Sequence, residues 1–168
     1  MTKIPVLFED AISYADLFEL TEVTIKEILG IHRPGIMLGL VEMGVNRNQF
    51  IGGFHIVGTN EIYLNKTALR MIENEHPDLY KPYVLYLLIH EYIHSLGFGE
   101  NETRRLVTSV CLKAFGKEHI VTKMAIDGLS FFFPYRFSHP EMYNPPNERK
   151  YGRVEFIQTR RKSDMTYV

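Results

Sequence analysis

VLYLLIHEYIHSLGFGENE, residues 84–102, sets three ionisable side chains, His90, Glu91 and His94, inside an apolar run. Val84, Leu85, Leu87, Leu88, Ile89, Ile93 and Leu96 surround them, so the run reads as a helix that is apolar on most faces and therefore buried. His90 and His94 stand at i and i+4, one above the other on the same face. Two imidazole nitrogens can meet one ion there, at roughly 2.0–2.1 Å for zinc. Glu91 lies one step round the helix, beside such an ion rather than on it, where its carboxylate can take a proton from water. Ionisable groups in an apolar helix are costly unless paired or metal-bound, and that cost favours the metal.

The rest of the composition narrows the setting. A chain of 168 residues with 45% hydrophobic content fits one domain with a real core. A formal charge of −1 gives no global attraction to nucleic acid or to an anionic membrane. The lone Cys111 excludes an intramolecular disulfide framework and suits a reducing compartment. MTKIPVLFEDAISYADL has no sustained apolar segment of the kind a signal peptide needs, and every apolar run falls short of the roughly 18 residues of a membrane span. The expectation is a cytoplasmic protein with no membrane or nucleic-acid partner.

Taken in order, residues 8–29 show helical spacing ending at Gly30, one or two helices. His32-Arg33-Pro34-Gly35 is a turn, and IMLGLVEM, 36–43, reads as a strand. Phe54–Val57 and Glu61–Leu64 alternate like two half-buried strands, with His55 pointing outward from the first. Lys66–Asn74 suits a short helix, and Pro82 suits the first turn of the H-E-x-x-H helix. Gly97 and Gly99 end that helix, Asn101 is a candidate N-cap, and Leu106, Val107, Val110, Cys111, Ala114 and Phe115 form the stripe of the next. Cys111 reads as a buried structural thiol. Residues 117–127 fit helix or strand equally, the tail from 136 is irregular, and Val154–Ile157 suits a late strand.

His90-Glu91-Tyr92-Ile93-His94 spells H-E-x-x-H, a zinc metallopeptidase pattern, and a catalytic zinc usually takes a third protein ligand. Two carboxylates compete. Glu102 shares a face with Leu106 and Val110 by i, i+4, i+8 spacing, so it is expected to point inward, where coordination would relieve its burial cost. Asn101-Glu102 ahead of a helix also resembles the glutamate-helix signature of the gluzincin metallopeptidases, whose Glu binds zinc. Glu100 instead ends His90-Glu91-x-x-His94-x-x-Gly97-x-x-Glu100, which resembles the metzincin motif, where a Gly turn brings back a third ligand. Glu102 is the preferred third ligand, Glu100 the alternative, and His119 and His139 stand behind them. Ser163-Asp164-Met165-Thr166-Tyr167 fits the metzincin Met-turn pattern and is read as a coincidence of a short motif.

The zincin resemblance covers the first lobe and implies an α+β fold: a backing helix, a small twisted sheet, the H-E-x-x-H helix and a following glutamate-type helix. Residues 1–135 form this minimal, gluzincin-like single lobe, and 136–168 an irregular C-terminal segment packed on the same domain. It implies one zinc per chain on His90, His94 and Glu102, with Glu91 as general base for peptide hydrolysis. Tyr135 and Tyr143 are candidate oxyanion donors. The edge strand that pairs with substrate would fall at Glu61–Asn65. Val154–Ile157 could add to that edge and cover the zinc, which would make the enzyme latent, with His139, Glu141 or Asp164 in the open position. Two rivals stand beside this. His90-x3-His94-x5-Glu100 with Leu96-Gly97 is loosely similar to the H-x3-H-x5-H pattern of bacterial rRNA-maturation endonucleases, and a basic tail from Arg149 to Lys162 would suit RNA. A zincin-like module that binds zinc without catalysis is the other.

Overall fold

The computed structural model describes residues 3–45, 50–134 and 153–158. Elements run α1 (Lys3–Asp10), α2 (Tyr14–Leu29), β1 (Met37–Val41), β2 (Gly53–His55), β3 (Glu61–Asn65), α3 (Lys66–Glu75), α4 (Pro77–Ser95), α5 (Glu100–Phe115), α6 (Ile120–Asp127), α7 (Leu129–Phe132) and β4 (Glu155–Phe156). The class is α+β. Residues 117–127, ambiguous in sequence, turn helical from Ile120, where the His119 side chain caps the first turn.

The sheet order is β2-β3-β1-β4. β1 and β3 are parallel, with Leu38 opposite Ile62 and Leu40 opposite Leu64; β2 and β4 are antiparallel to their neighbours. Alternation divides the faces. Leu38, Leu40, Ile62 and Leu64 enter the main core with the helices, while Val41, Phe54 and Tyr63 form a second cluster on the opposite face. There the rings of Phe54 and Tyr63 stack at 5.0 Å. Because Phe54 faces away from the helices, Gly53 and His55 on either side of it face toward them.

Two expectations about the sheet are corrected. The edge strand beside the helix layer is β2, and Glu61–Asn65 is interior, hydrogen-bonded on both sides. Only three residues long and opening on a glycine, β2 gave the weaker strand signal. The late strand β4 pairs with β1, Gly39 opposite Phe156, on the edge of the sheet away from β2. Residues Val154–Ile157 therefore do not cover the H-E-x-x-H helix.

Helix α4 is the centre of the molecule, packed by α2, α3, α5, α6, β2 and β3. Tyr83, Val84, Leu85, Leu88, Ile89, Tyr92 and Ile93 are fully buried. Pro77, not Pro82, takes the first turn; Pro82 lies within the helix, at the end of its second turn. A Cβ on Gly52 would overlap the Tyr83 hydroxyl and lie 2.9 Å from Leu87 Cδ1, so glycine there lets the sheet close onto α4.

Candidate metal centre

The last two turns of α4 carry His90, Glu91 and His94, and the chain must reverse at once for a third group to reach them. Gly97 makes that reversal at φ 101°, a region that disfavours other residues, and its N–H donates to His94 O. Helix α5 then starts at Glu100 with Gly99 as N-cap. Its buried positions, Thr103, Val107, Val110, Cys111 and Ala114, follow i, i+4, i+7, i+8, i+11. Glu100, three residues before Thr103, extends that stripe to the front of the helix.

His90 Nε2 and His94 Nε2 lie 3.1 Å apart. Glu100 Oε2 is 2.8 Å from His94 Nε2, and Glu100 Oε1 is 3.5 Å from His90 Nε2. The donor atoms of these three residues all fall within 4.8 Å of one another. A tetrahedral ion about 2.0–2.1 Å from each donor would set the donors roughly 3.3 Å apart, so the spacing fits zinc. Two imidazoles and a carboxylate are also the donor set of a catalytic zinc, which keeps a position open.

Two of the three donors are held from behind. His94 Nδ1 donates to Phe98 O at 3.0 Å and lies 3.3 Å from Thr103 Oγ1. Arg104 Nε donates to Glu100 Oε1 at 2.9 Å. His90 differs: its Nδ1 is buried without a hydrogen-bond partner among the described residues, while its ring lies 6.0 Å from that of Tyr86. The charges reinforce one another. His90, His94 and Arg104 hold the Glu100 carboxyl far below the usual carboxylate range. Burial pulls the His94 imidazole down, yet Glu100, Glu91 and the Phe98 carbonyl leave it above the ordinary histidine value.

Glu91 stays out of the cluster. It is 8% exposed, and burial pushes its carboxyl above the usual range while His90 and His94 oppose the shift. Its Cγ lies 3.6 Å from where a Cβ on Gly53 would be, so it sits between α4 and the edge strand β2. A carboxylate that holds protons more readily than usual, next to a metal-ligating pair, can act as a base.

Glu102 is corrected. It lies exposed in the first turn of α5, outside the cluster, and does not point inward. Its position just before Thr103 turns it about 100° from the buried stripe, whereas Glu100 is on it. Asn101 is likewise not the cap; Gly99 is. His119 accepts from Val121 N and packs between Phe8 and Phe115, with ring centroids at 5.0 and 4.6 Å, a structural role. His55 does not point out to solvent: it is half-buried on the helix-facing side of β2, and its Nε2 meets Thr59 O at 3.0 Å, closing the β2–β3 turn. Burial is the main force lowering its pKa, with smaller contributions from Arg33 and His94. Tyr135, His139, Glu141, Tyr143, Asp164 and the 163–167 segment lie outside the described residues. Cys111 is fully buried, and burial pushes its thiol up to about 12.

Sequence reading missed Thr103 and Arg104. Both follow from Glu100 by i+3 and i+4 once α5 is known to start there, and the preference for Glu102 hid that register. Among the described residues no helix is long and apolar enough to cross a membrane. No family model, no curated protein and no solved structure matches the chain.

Proposed function

We propose that the protein is a zinc-dependent metallopeptidase with His90, His94 and Glu100 as metal ligands and Glu91 as general base. The observation that carries this reading is the meeting of three donor atoms beside a buried carboxylate that is not one of them. Zinc held there would supply Lewis-acid polarisation and lower the pKa of a water toward about 7. Glu91 accepts the proton of the attacking water and passes it to the leaving amine, a task suited to a carboxylate whose proton affinity burial has raised. The edge strand β2, running past Glu91, offers main-chain groups to an extended peptide. An edge strand beside the cleft that pairs with an extended substrate is what the zincin resemblance implies. With Glu100 as ligand, brought back by Gly97, the arrangement follows metzincin-like spacing rather than the glutamate-helix form.

One observation favours a second reading. The ligand spacing 90, 94, 100 is also that of the endonuclease pattern, so a metal-dependent endoribonuclease is the alternative. Glu91 separates the two, because only the peptidase motif carries a Glu after the first His. Wild-type protein and Glu91→Gln are assayed on an unfolded protein substrate and on structured RNA. The peptidase reading expects proteolysis that falls by about a hundredfold or more in Glu91→Gln, with bound zinc unchanged. RNA cleavage without proteolysis, or undiminished proteolysis by Glu91→Gln, contradicts it.

A further inference from the structure

Threonines inside helices can return their hydroxyl to the carbonyl three or four residues back. Thr21 Oγ1 donates to Leu17 O at 2.8 Å and Thr108 Oγ1 to Arg104 O at 3.1 Å, whereas Thr122 Oγ1 crosses from α6 to Cys111 O at 3.0 Å. Thr103 also leaves its helix, and it meets a side chain there. It is 0% exposed, and its hydroxyl leaves its own helix to meet Phe98 O and His94 Nδ1, both at 3.3 Å. A fully buried hydroxyl aimed off its helix at the back of an imidazole is an arrangement that helix formation does not require.

The polarity of the three groups follows from chemistry. Phe98 O is an acceptor only and lies 3.0 Å from His94 Nδ1, so the proton belongs on Nδ1. Thr103 then donates to Phe98 O and accepts from the same Nδ1–H, which leaves Nε2, the nitrogen facing Glu100 and His90, as the one available to ligate an ion. Glu100 and Thr103 stand one helical turn apart on α5. One turn thus holds the same ring from both sides, the carboxylate at Nε2 and the hydroxyl at Nδ1. His90 has no such support among the described residues.

We infer that Thr103 is a positioning residue of the metal centre, fixing the tilt of His94 through its hydroxyl while the Phe98 carbonyl sets the tautomer; the inference rests on the metal-binding reading above. Groups that hold a ligand's far nitrogen typically govern metal affinity by ten- to hundredfold. The test is zinc affinity of the full chain, measured by competition with a chromogenic chelator, together with the NMR signal of the His94 Nδ1–H in zinc-loaded protein. Thr103→Val keeps the shape and removes the hydroxyl; it is expected to bind zinc about tenfold or more weakly and to shift or broaden that signal. Thr103→Ser restores the hydroxyl and is expected to recover both. Thr108→Val, one turn along on the same helix, is expected to change neither. A Thr103→Val protein that matches wild type in affinity and signal overturns the inference and leaves the peptidase reading standing. So does Thr103→Ser weakening as far as Thr103→Val, since the methyl would then matter and not the hydroxyl; that comparison also serves if Thr103→Val fails to fold, with Thr103→Ala in its place. Wild-type protein that takes up no zinc removes both proposals together.

Discussion

Glu100, though half exposed, has its carboxylate between two imidazoles and a guanidinium, so it already faces the site before any ion arrives. That placement is what a ligand needs, because a preset donor loses less entropy on binding. Glu102, two residues on, is exposed and free of the cluster. Glu100→Ala is therefore expected to weaken zinc by more than the roughly hundredfold upper cost of losing a supporting group, and Glu102→Ala to leave it within about twofold. Chelator competition on the two variants measures the difference, and the reverse ranking would remove Glu100 from the site. At this scale His90, Glu91 and His94 were legible from spacing alone, because i and i+4 on one helix leave little choice. The third donor was not. It depends on where α5 begins, and a Gly-Phe-Gly turn carries no signal that distinguishes a start at 100 from one at 102.

Between elements, the strand β2 has to lie against α4 with almost no clearance, and Asn65 at the end of β3 organises the chain that delivers it. Asn65 is fully buried and uses every side-chain hydrogen-bonding position. Its Oδ1 accepts from Met43 N and Thr67 N at 3.2 and 3.1 Å, and its Nδ2 donates to Gly44 O and Ile51 O, both at 2.9 Å. One amide thus joins both ends of the β1–β2 connection to the start of α3, and Gly52 and Gly53 follow directly. Asn65→Ala leaves buried backbone groups unpaired and is expected to cost about 3 kcal/mol, read from denaturant unfolding. A loss under about 0.5 kcal/mol, typical of surface positions, would contradict this role. The elements themselves were largely legible: the helix ending at Gly30, the strand at 37–41 and the stripe of α5 all follow from period, while most of α1, Lys3–Asp10, lies before the 8–29 window that showed helical spacing. Which strand is the edge was not, because β3 has the stronger pattern and pairing order is decided by packing between distant residues.

For the whole molecule, one sheet supports a helix layer whose central helix carries the candidate site, and β4 extends the sheet at the edge away from β2. The α+β class could be read from the alternation of periods along the chain. The placement of Val154–Ile157 could not, since both edges of the sheet offer unpaired backbone and two residues of pairing leave no pattern to choose between them. Phe156 lies opposite Gly39, and its ring is 6.4 Å from Tyr63. A Cβ on Gly39 would lie 3.0 Å from Tyr63 Cδ1 and Val154 Cγ1, so the strand is closely covered there.

The central claim, that His90, His94 and Glu100 form a zinc centre, is tested most directly by elemental analysis of protein prepared without chelators, alongside His94→Ala. The account predicts about one zinc per chain in wild type, close to none in His94→Ala, and a lower thermal midpoint wherever the metal is lost, because an ion bound only to the folded form stabilises it. Wild-type protein that carries no zinc and takes none up on titration would contradict it.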